Sequence, residues 1–210
     1  MKNILILTLF FFLAIPGIIL ADPSEIGLKA GFTGNTIGGT NVSVINQFSM
    51  AGYSLGVFGD LGLSDFLAFQ PEACFTVKGD YGLSPNFAYT PDNVDEFRYY
   101  LEFPMLLKAK ILTVGELKLN GLVGPYFAFL IQTQNFLTPY LDNSPSFNKF
   151  DTGVVFGASV ELDNFVLDGR WEGGLTSFYN GVFAGTAAQN VHNVTNETFI
   201  ISLGYKFFQL

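Results

Sequence analysis

Residues that carry out chemistry are scarce in this sequence. Its 210 residues include one cysteine, Cys74, and one histidine, His192. A single cysteine cannot form an internal disulfide, and the chain has no Cys/His metal spacing and no glycine-rich phosphate loop. We therefore expect a protein that is not an enzyme and that uses no cofactor and no metal. One enzymatic alternative stays open, a hydrolase that uses His192 with a loop serine.

Charge is also sparse, and most of it is acidic. Only 13% of the residues are charged, with 10 lysines and arginines against 18 acidic residues, and no basic cluster occurs. Proteins that bind nucleic acid neutralise phosphates with clustered lysine and arginine. The composition thus argues against a nucleic-acid partner.

Long apolar runs are absent after residue 20. The first 21 residues, MKNILILTLFFFLAIPGIILA, join Lys2 to an apolar run and end on Ala21, the pattern of a secretory signal peptide. We expect residues 1–21 to be a signal peptide, with an uncleaved anchor as the alternative, and residues 22–210 to form one domain. If the exported chain enters a bilayer, it does so as strands.

Phenylalanine and glycine are abundant, with 24 and 23 copies, and the mean hydropathy is positive. Apolar and polar residues alternate with period two in eight windows, which predicts eight strands. The windows are 25–33, 49–60, 67–79, 97–111, 117–131, 149–162, 165–174 and 198–207.

The stretch RYYLEFPMLLKAKI shows the alternation clearly. Its charged residues Arg98, Glu102, Lys108 and Lys110 all have even numbers, so a strand sends them to one face and the apolar residues to the other. The other windows separate charge from apolar residues in the same way. We therefore expect that charges and large apolar groups do not share a face.

The connections between the windows alternate in length. Short turns near GLSD, LTVGE and LDN contrast with long segments at 34–48, 80–96, 132–148 and 175–197. Short periplasmic turns and long external loops are typical of bacterial outer-membrane barrels. The sequence thus predicts an all-β fold, an eight-stranded antiparallel up-and-down transmembrane β-barrel in the cell outer membrane.

Alternation alone is also compatible with a secreted soluble lipocalin-like barrel that carries a hydrophobic ligand in an apolar interior. Three features favour apolar residues in lipid instead. The apolar face has few polar exceptions, and glycines concentrate on the polar face, as crowding in a narrow barrel favours. The terminal strand FIISLGYKFFQL ends in aromatic residues, the kind that the barrel assembly machinery reads.

Strand and turn motifs along the chain carry a family resemblance. LSDFLAFQPEACFTVKG, YLEFPMLLKAKI, GPYFAFLI, FDTGVVFGASVEL, LDGRWEGGLT and ISLGYKF are similar to the PorT-like family of small outer-membrane β-barrel proteins. The resemblance covers about residues 24 to 207. It implies an eight-stranded barrel of a Gram-negative envelope, and PorT itself is linked to protein secretion.

In the predicted barrel, the polar face lines the lumen. Charges enclosed together must pair, so we expect a structural network of salt bridges, with a proton or ion path as the alternative. A narrow eight-stranded barrel is filled by side chains, which argues against a pore. The expected network consists of Lys29, Glu72, Lys78, Arg98, Glu102, Lys108, Asp151, Glu161, Asp168, Arg170, Glu172 and Lys206.

The long loops contain aromatic residues but no lysine or arginine. Such aromatics can anchor a partner, cover the barrel mouth or mark the membrane interface, and acidic loops prefer basic or metal-bridged partners. The candidate loop contacts are Phe87, Tyr89, Phe136, Tyr140, Phe178 and Tyr179. The acidic stretch PDNVDE, residues 91–96, lacks the spacing of a known calcium loop, so we interpret it as solvated.

Three prolines, Pro71, Pro104 and Pro125, fall inside predicted strands, where we expect bulges or strand ends because proline lacks an N–H. The function predicted from all these features is a non-enzymatic outer-membrane barrel with long external loops. Its expected roles are surface binding, envelope integrity or secretion support. The expected surroundings are outer-membrane lipid, the assembly machinery and a surface or secretion partner.

Overall fold

The computed structural model describes residues 24–40, 48–81, 95–135, 146–177, 179–180 and 192–209. Nearly all of them belong to strands or to the short turns between strands. The strands are β1 (Glu25–Thr40), β2 (Phe48–Gly62), β3 (Leu67–Tyr81), β4 (Asp95–Val114), β5 (Leu117–Asn135), β6 (Ser146–Phe147), β7 (Phe150–Leu162), β8 (Phe165–Gly174), β9 (Tyr179–Asn180) and β10 (His192–Gln209). Within these ranges, the chain forms no helix long and apolar enough to cross a membrane.

Eight of these strands close into one antiparallel barrel. Their order around the barrel is β1, β10, β8, β7, β5, β4, β3, β2. The barrel closes where β1 pairs with both β2 and β10, so that Glu25 lies opposite Asp60 on one side and Gln209 on the other. Each barrel strand contains one of the eight predicted windows apart from single residues at window edges, so the predicted eight-stranded up-and-down barrel is confirmed.

Short turns join β2 to β3, β4 to β5 and β7 to β8 at one end of the barrel, here called the turn end. The two-residue turns use positive φ angles, 62° at Gly115 and 51° at Asp163. Positive φ matches the twist of two-residue hairpins, and glycine and aspartate tolerate it better than most residues. Both ends of the described chain, residues 24 and 209, also lie at the turn end.

The strands extend further into the predicted long loops than expected. Residues 34–40 continue β1, 132–135 continue β5, and β10 begins at His192, which lies opposite Thr40. The prediction that His192 belongs to a loop is therefore wrong. Main-chain pairing does not need an apolar face, so the ladder continues through polar sequence beyond the roughly 10 residues per strand that span a bilayer.

Two of the long connections pair with each other at the opposite end, here called the loop end. The short strands β6 and β9 form a separate two-stranded sheet, in which Phe147 lies opposite Tyr179. Asn148 Nδ2 also donates a hydrogen bond to the Ser177 carbonyl oxygen. The connection after β5 is thereby joined to the connection after β8.

The three prolines lie inside continuous strands, so the expectation of bulges or strand ends is wrong. Pro71 pairs with Met105, Pro104 with Tyr126 and Pro125 with Val154. A strand residue directs its N–H toward one neighbour only, so a proline weakens one ladder and leaves the other intact. The register shifts of β4 and β5 occur elsewhere, at Tyr99/Tyr100 and at Lys110/Leu112.

The two faces of the barrel differ as the alternation predicts. Large apolar side chains point outward and are exposed, for example Phe32, Leu203 and Trp171. Most charged residues of the polar face point into the barrel and are buried, whereas Lys110, next to the turn end, is exposed and donates a hydrogen bond to the Asp65 carbonyl oxygen. A soluble barrel with an apolar ligand cavity would need the opposite arrangement, so the lipocalin-like alternative is wrong.

Crowding explains the glycines of the inner face. A Cβ added at Gly31, Gly56 or Gly157 would lie within 3.0 Å of atoms on a neighbouring strand. At Gly169, which is on the outer face, an added Cβ would meet nothing within 4 Å. The predicted role of the inward glycines is therefore confirmed.

Candidate functional site

The lumen contains all twelve charged residues of the predicted network, and every one of them is buried. They do not form a single uniform chain of contacts. They group into a cluster at the turn end, a cluster at the centre and a polar group towards the loop end, and a 3.9 Å contact between Arg170 and Glu172 links the last two.

The turn-end cluster consists of Glu25, Asp60, Lys108, Glu161 and Lys206. Lys206 Nζ lies 2.6 Å from Glu25, 3.2 Å from Asp60 and 2.7 Å from Glu161. Lys108 Nζ lies 2.7 Å from Glu161 and also contacts Asp60. The two ammonium groups and three carboxylates come from five different strands, and Asp60 and Glu161 each contact both ammonium groups.

The central cluster consists of Lys29, Glu72, Asp168 and Arg170. The Glu72 carboxylate accepts from Arg170 Nη1 at 2.9 Å and lies 2.5 Å from Lys29 Nζ. Asp168 lies 3.4 Å from Lys29 and accepts a hydrogen bond from Ser202 Oγ at 2.8 Å. Every charge of this cluster has an opposite charge beside it, which offsets the cost of its burial.

Lys78 lies further towards the loop end, between two carboxylates. Its Nζ is 3.5 Å from Glu102 and 3.5 Å from Glu172. It also lies 4.8 Å from the ring centre of Tyr126 and 5.5 Å from that of Tyr100. Both ion-pair distances are longer than the two contacts of Glu72 in the central cluster, so the pairing of Lys78 is weaker than that of Glu72.

Asp151 carries a polar group on the loop-end side of the lumen. Its carboxylate accepts hydrogen bonds from Asn196 Nδ2 at 2.8 Å, from Thr176 Oγ1 at 2.9 Å and from Tyr126 Oη at 3.2 Å. Arg98 is also buried, on β4, opposite Lys78 in the ladder.

Large apolar residues share the lumen with these charges, so the expected complete separation of charge from apolar groups is wrong. Tyr100, Leu106, Leu122, Tyr126 and Val155 form a buried cluster inside the barrel. Strand alternation decides only which residues face inward. A narrow lumen must also be filled, and apolar side chains fill it without needing a partner.

Several residues of the site are not among the predicted set. Glu25 and Asp60 complete the turn-end cluster, and Tyr126 and Asn196 bind Asp151. Parity could have identified Asp60, since it has the same parity as Gly52 and Gly56 on the inner face of β2.

Most of the candidate loop contacts lie outside the described residues, as does the predicted signal peptide. The contacts outside the described residues are Phe87, Tyr89, Phe136, Tyr140 and Phe178, while the backbone of Tyr179 is part of β9.

Cys74 is buried and free in the lumen, with Sγ 3.7 Å from the Glu72 carboxylate. Within the described ranges, no group of three or more His, Cys, Asp or Glu residues is arranged to hold a metal ion.

Comparison with solved structures finds similarity to small outer-membrane proteins. Ail of Yersinia pestis is 14% identical, with 89% of this chain and 100% of that chain covered and a TM-score of 0.44. Neisserial surface protein A is 16% identical, with the same coverage and a TM-score of 0.49. OprG of Pseudomonas aeruginosa is 12% identical, with 90% and 99% covered and a TM-score of 0.47. Among curated proteins, none matches this sequence.

A family model matches residues 21–180, more than half of the chain, and its description is an outer membrane protein beta-barrel domain. The closed eight-stranded barrel with an apolar outer face and a charged lumen agrees with that match. The protein is located in the outer membrane, where its apolar face contacts lipid. The chain belongs to the outer membrane protein beta-barrel domain family.

Proposed function

We propose that this protein is a non-enzymatic outer-membrane barrel that acts through its external loops, in surface binding, envelope integrity or secretion support. The observation that carries the proposal is the contrast between the two ends of the barrel. At the turn end, connections of two to four residues leave little surface, whereas the four connections at the loop end are long. Binding residues are concentrated on loops that a rigid scaffold positions.

The contents of the lumen favour a role outside it. Buried ion pairs and the cluster around Leu106 and Leu122 occupy the interior, and an eight-stranded barrel has little further room. A proton or ion path would need groups that exchange partners. In the central cluster, Glu72 is held at 2.5 and 2.9 Å by two cations. We therefore assign the network a structural role.

The pairing of β6 with β9 supports order at the loop end. It joins two external connections and places Tyr179 opposite Phe147 in a small sheet. A sheet of this kind is a suitable base for aromatic contacts, and the acidic character of the loops favours a partner with basic groups or a bridging metal ion. Phe87, Tyr89, Phe136, Tyr140, Phe178 and Tyr179 remain the proposed contacts.

A finer assignment within this function is a PorT-like role in secretion. It rests on the resemblance of the strand and turn motifs, which concern architecture. Secretion support predicts that deleting the gene lowers the amount of secreted protein. Surface binding predicts that secretion stays normal while adherence falls.

The test replaces the four external connections between barrel strands, residues 41–47, 82–94, 136–149 and 175–191, by short glycine-serine linkers in the native host. We expect the variant barrel to reach the outer membrane at the normal level and to keep its heat-modifiable gel migration. We also expect it to lose the adherence, detergent resistance or secretion that the intact protein supports. A matched control exchanges the turn at residues 115–116 for another two-residue turn.

Full activity of the loop-replaced barrel would contradict the proposal and direct attention to the turn end. The enzymatic alternative has its own test, replacement of His192 by alanine. Because His192 begins β10 opposite Thr40, we expect the variant to retain every phenotype of the intact protein.

A further inference from the structure

An apolar layer separates the turn-end cluster from the central cluster. Counted inward from the turn end, the next lumen-facing residue after Asp60 on β2 is Phe58. In the same way, Leu106 comes after Lys108 on β4 and Leu122 comes after Asn120 on β5. Val166 occupies the same level on β8. All four side chains are at most 6% exposed. Four apolar side chains therefore lie between the two sets of ion pairs, together with Gln70, which is opposite Leu106 on β3 and donates a hydrogen bond to Glu72.

Phe58 has a special position within this layer. Leu106 and Leu122 belong to the apolar cluster on the β4 and β5 side of the lumen. Across from it, the neighbouring strands β1 and β10 contribute Gly27 and Gly204 at this level. A Cβ added at Gly27 would collide with the Phe58 ring, and one at Gly204 would lie 3.1 Å from it. The ring occupies the space that these two glycines leave empty.

A cavity lies at the turn end, where Asp60, the inward neighbour of Phe58 on β2, lines it, and a small void borders the ring itself. At the turn end, a cavity of about 250 Å³ is lined by Asp60, Lys108, Glu161, Lys206 and the β2–β3 turn. On the inner side, Phe58 and Val166 border a void too small for a water molecule, next to Lys29, Asp168 and Ser202. The Phe58 ring thus lies between the charged residues that line the open cavity and the buried charges beside the inner void.

We propose that Phe58 is the permeability barrier of this lumen. Its ring keeps periplasmic water and small solutes, which enter the turn-end cavity, away from the central cluster. Removing the ring would join the cavity to the inner void, because Gly27 and Gly204 have no side chains to close the gap. This inference concerns the interior and does not depend on the proposed function of the loops.

Cys74 provides a built-in reporter on the protected side. It is the one cysteine of the chain, it is buried, and a Cβ at Gly56, one inward position beyond Phe58 on β2, would lie 2.5 Å from its Sγ. The experiment treats the folded protein in lipid vesicles with methyl methanethiosulfonate. It compares wild type, Phe58→Ala and Phe165→Ala, the last being the same change at an outward-facing phenylalanine.

We expect Cys74 to react at least about tenfold faster in Phe58→Ala, because the reagent then reaches the thiol without local opening of the barrel. Wild type and Phe165→Ala should react slowly, and Phe58→Trp should restore protection. Equal rates in Phe58→Ala and wild type, with native gel migration, would overturn the proposal. So would rapid labelling of folded wild type, or equal acceleration in Phe165→Ala. If Phe58→Ala does not fold, Phe58→Leu and Phe58→Val replace it under the same criteria.

Discussion

The guanidinium of Arg170 lies 2.9 Å from the carboxylate of Glu72, although the two residues are 98 positions apart in the chain. They belong to β8 and β3, which are not neighbours in the barrel, so the ion pair crosses the lumen. Lys29 on β1 reaches the same carboxylate. Three strands are thus joined at the centre of the barrel by contacts that involve no main-chain pairing.

The first prediction compares two buried carboxylates. We expect Glu72→Gln to lower the free energy of unfolding by about 3–5 kcal/mol, because Lys29 and Arg170 then have only Asp168 and more distant groups as counter-charges. Glu102→Gln should cost about 1 kcal/mol or less, because Lys78 keeps Glu172 and its 3.5 Å contact with Glu102 is long.

Urea unfolding in lipid vesicles, followed by gel migration without boiling, measures both values. Equal losses for the two variants would mean that ion-pair distance does not decide the stability of this network.

The second prediction concerns the outer face. Leu203 points outward from β10, so Leu203→Arg should destabilise the folded barrel by about 2–4 kcal/mol if the residue lies near the bilayer centre. The control is Glu116→Arg, which introduces the same side chain in the exposed β4–β5 turn and should change stability little. Unfolding in vesicles gives both values, and a neutral Leu203→Arg would argue against lipid at this face.

The third prediction uses two glycines on adjacent strands. Gly157→Ala should cost about 1–3 kcal/mol, because the new Cβ would lie 2.7 Å from the Arg170 Cβ and from the Gly169 carbonyl oxygen. Gly169→Ala meets open space and should raise stability by up to about 1 kcal/mol by restricting the unfolded chain. Opposite signs in one unfolding assay are expected. A stabilising Gly157→Ala would show that the lumen is looser than described.

The fourth prediction uses Trp171, the one tryptophan of the chain. Its side chain is 41% exposed on the outer face and is stacked on Phe156. Its fluorescence should be quenched by lipids with brominated acyl chains and should be insensitive to iodide in the aqueous phase. The variant Trp171→Phe supplies the blank, and strong iodide quenching in folded protein would contradict the lipid-facing assignment.

Much of the fold could be predicted from local pattern. In β3, the even-numbered residues Glu72, Thr76 and Lys78 are buried, as the alternation predicts, and Phe75 lies on the other face. The short turns were predictable for a similar reason, since Gly115 in LTVGE and Asp163 in LDN provide the turn backbone that hairpins need. These signals depend on residues close together in the chain.

Other features could not be predicted because they depend on closure of the barrel. The residues next to Pro125 in the sequence do not indicate that it can stay within β5. Its place in the strand depends on pairing with β7, where it lies opposite Val154. The inward position of Phe58 can be predicted from its parity. The space for its ring, however, is left by Gly27 and Gly204, which belong to two other strands.

The sequence by itself determined which residues share a face, because strand side chains alternate with period two whatever lies beside them. It also determined the number of barrel strands and the end at which the chain turns sharply. Only the tertiary structure decided which charges meet, since the register of eight strands and their closure bring Glu72 to Arg170 and Asp60 to Lys206. Those contacts join residues far apart in the chain, and local alternation carries no information about them.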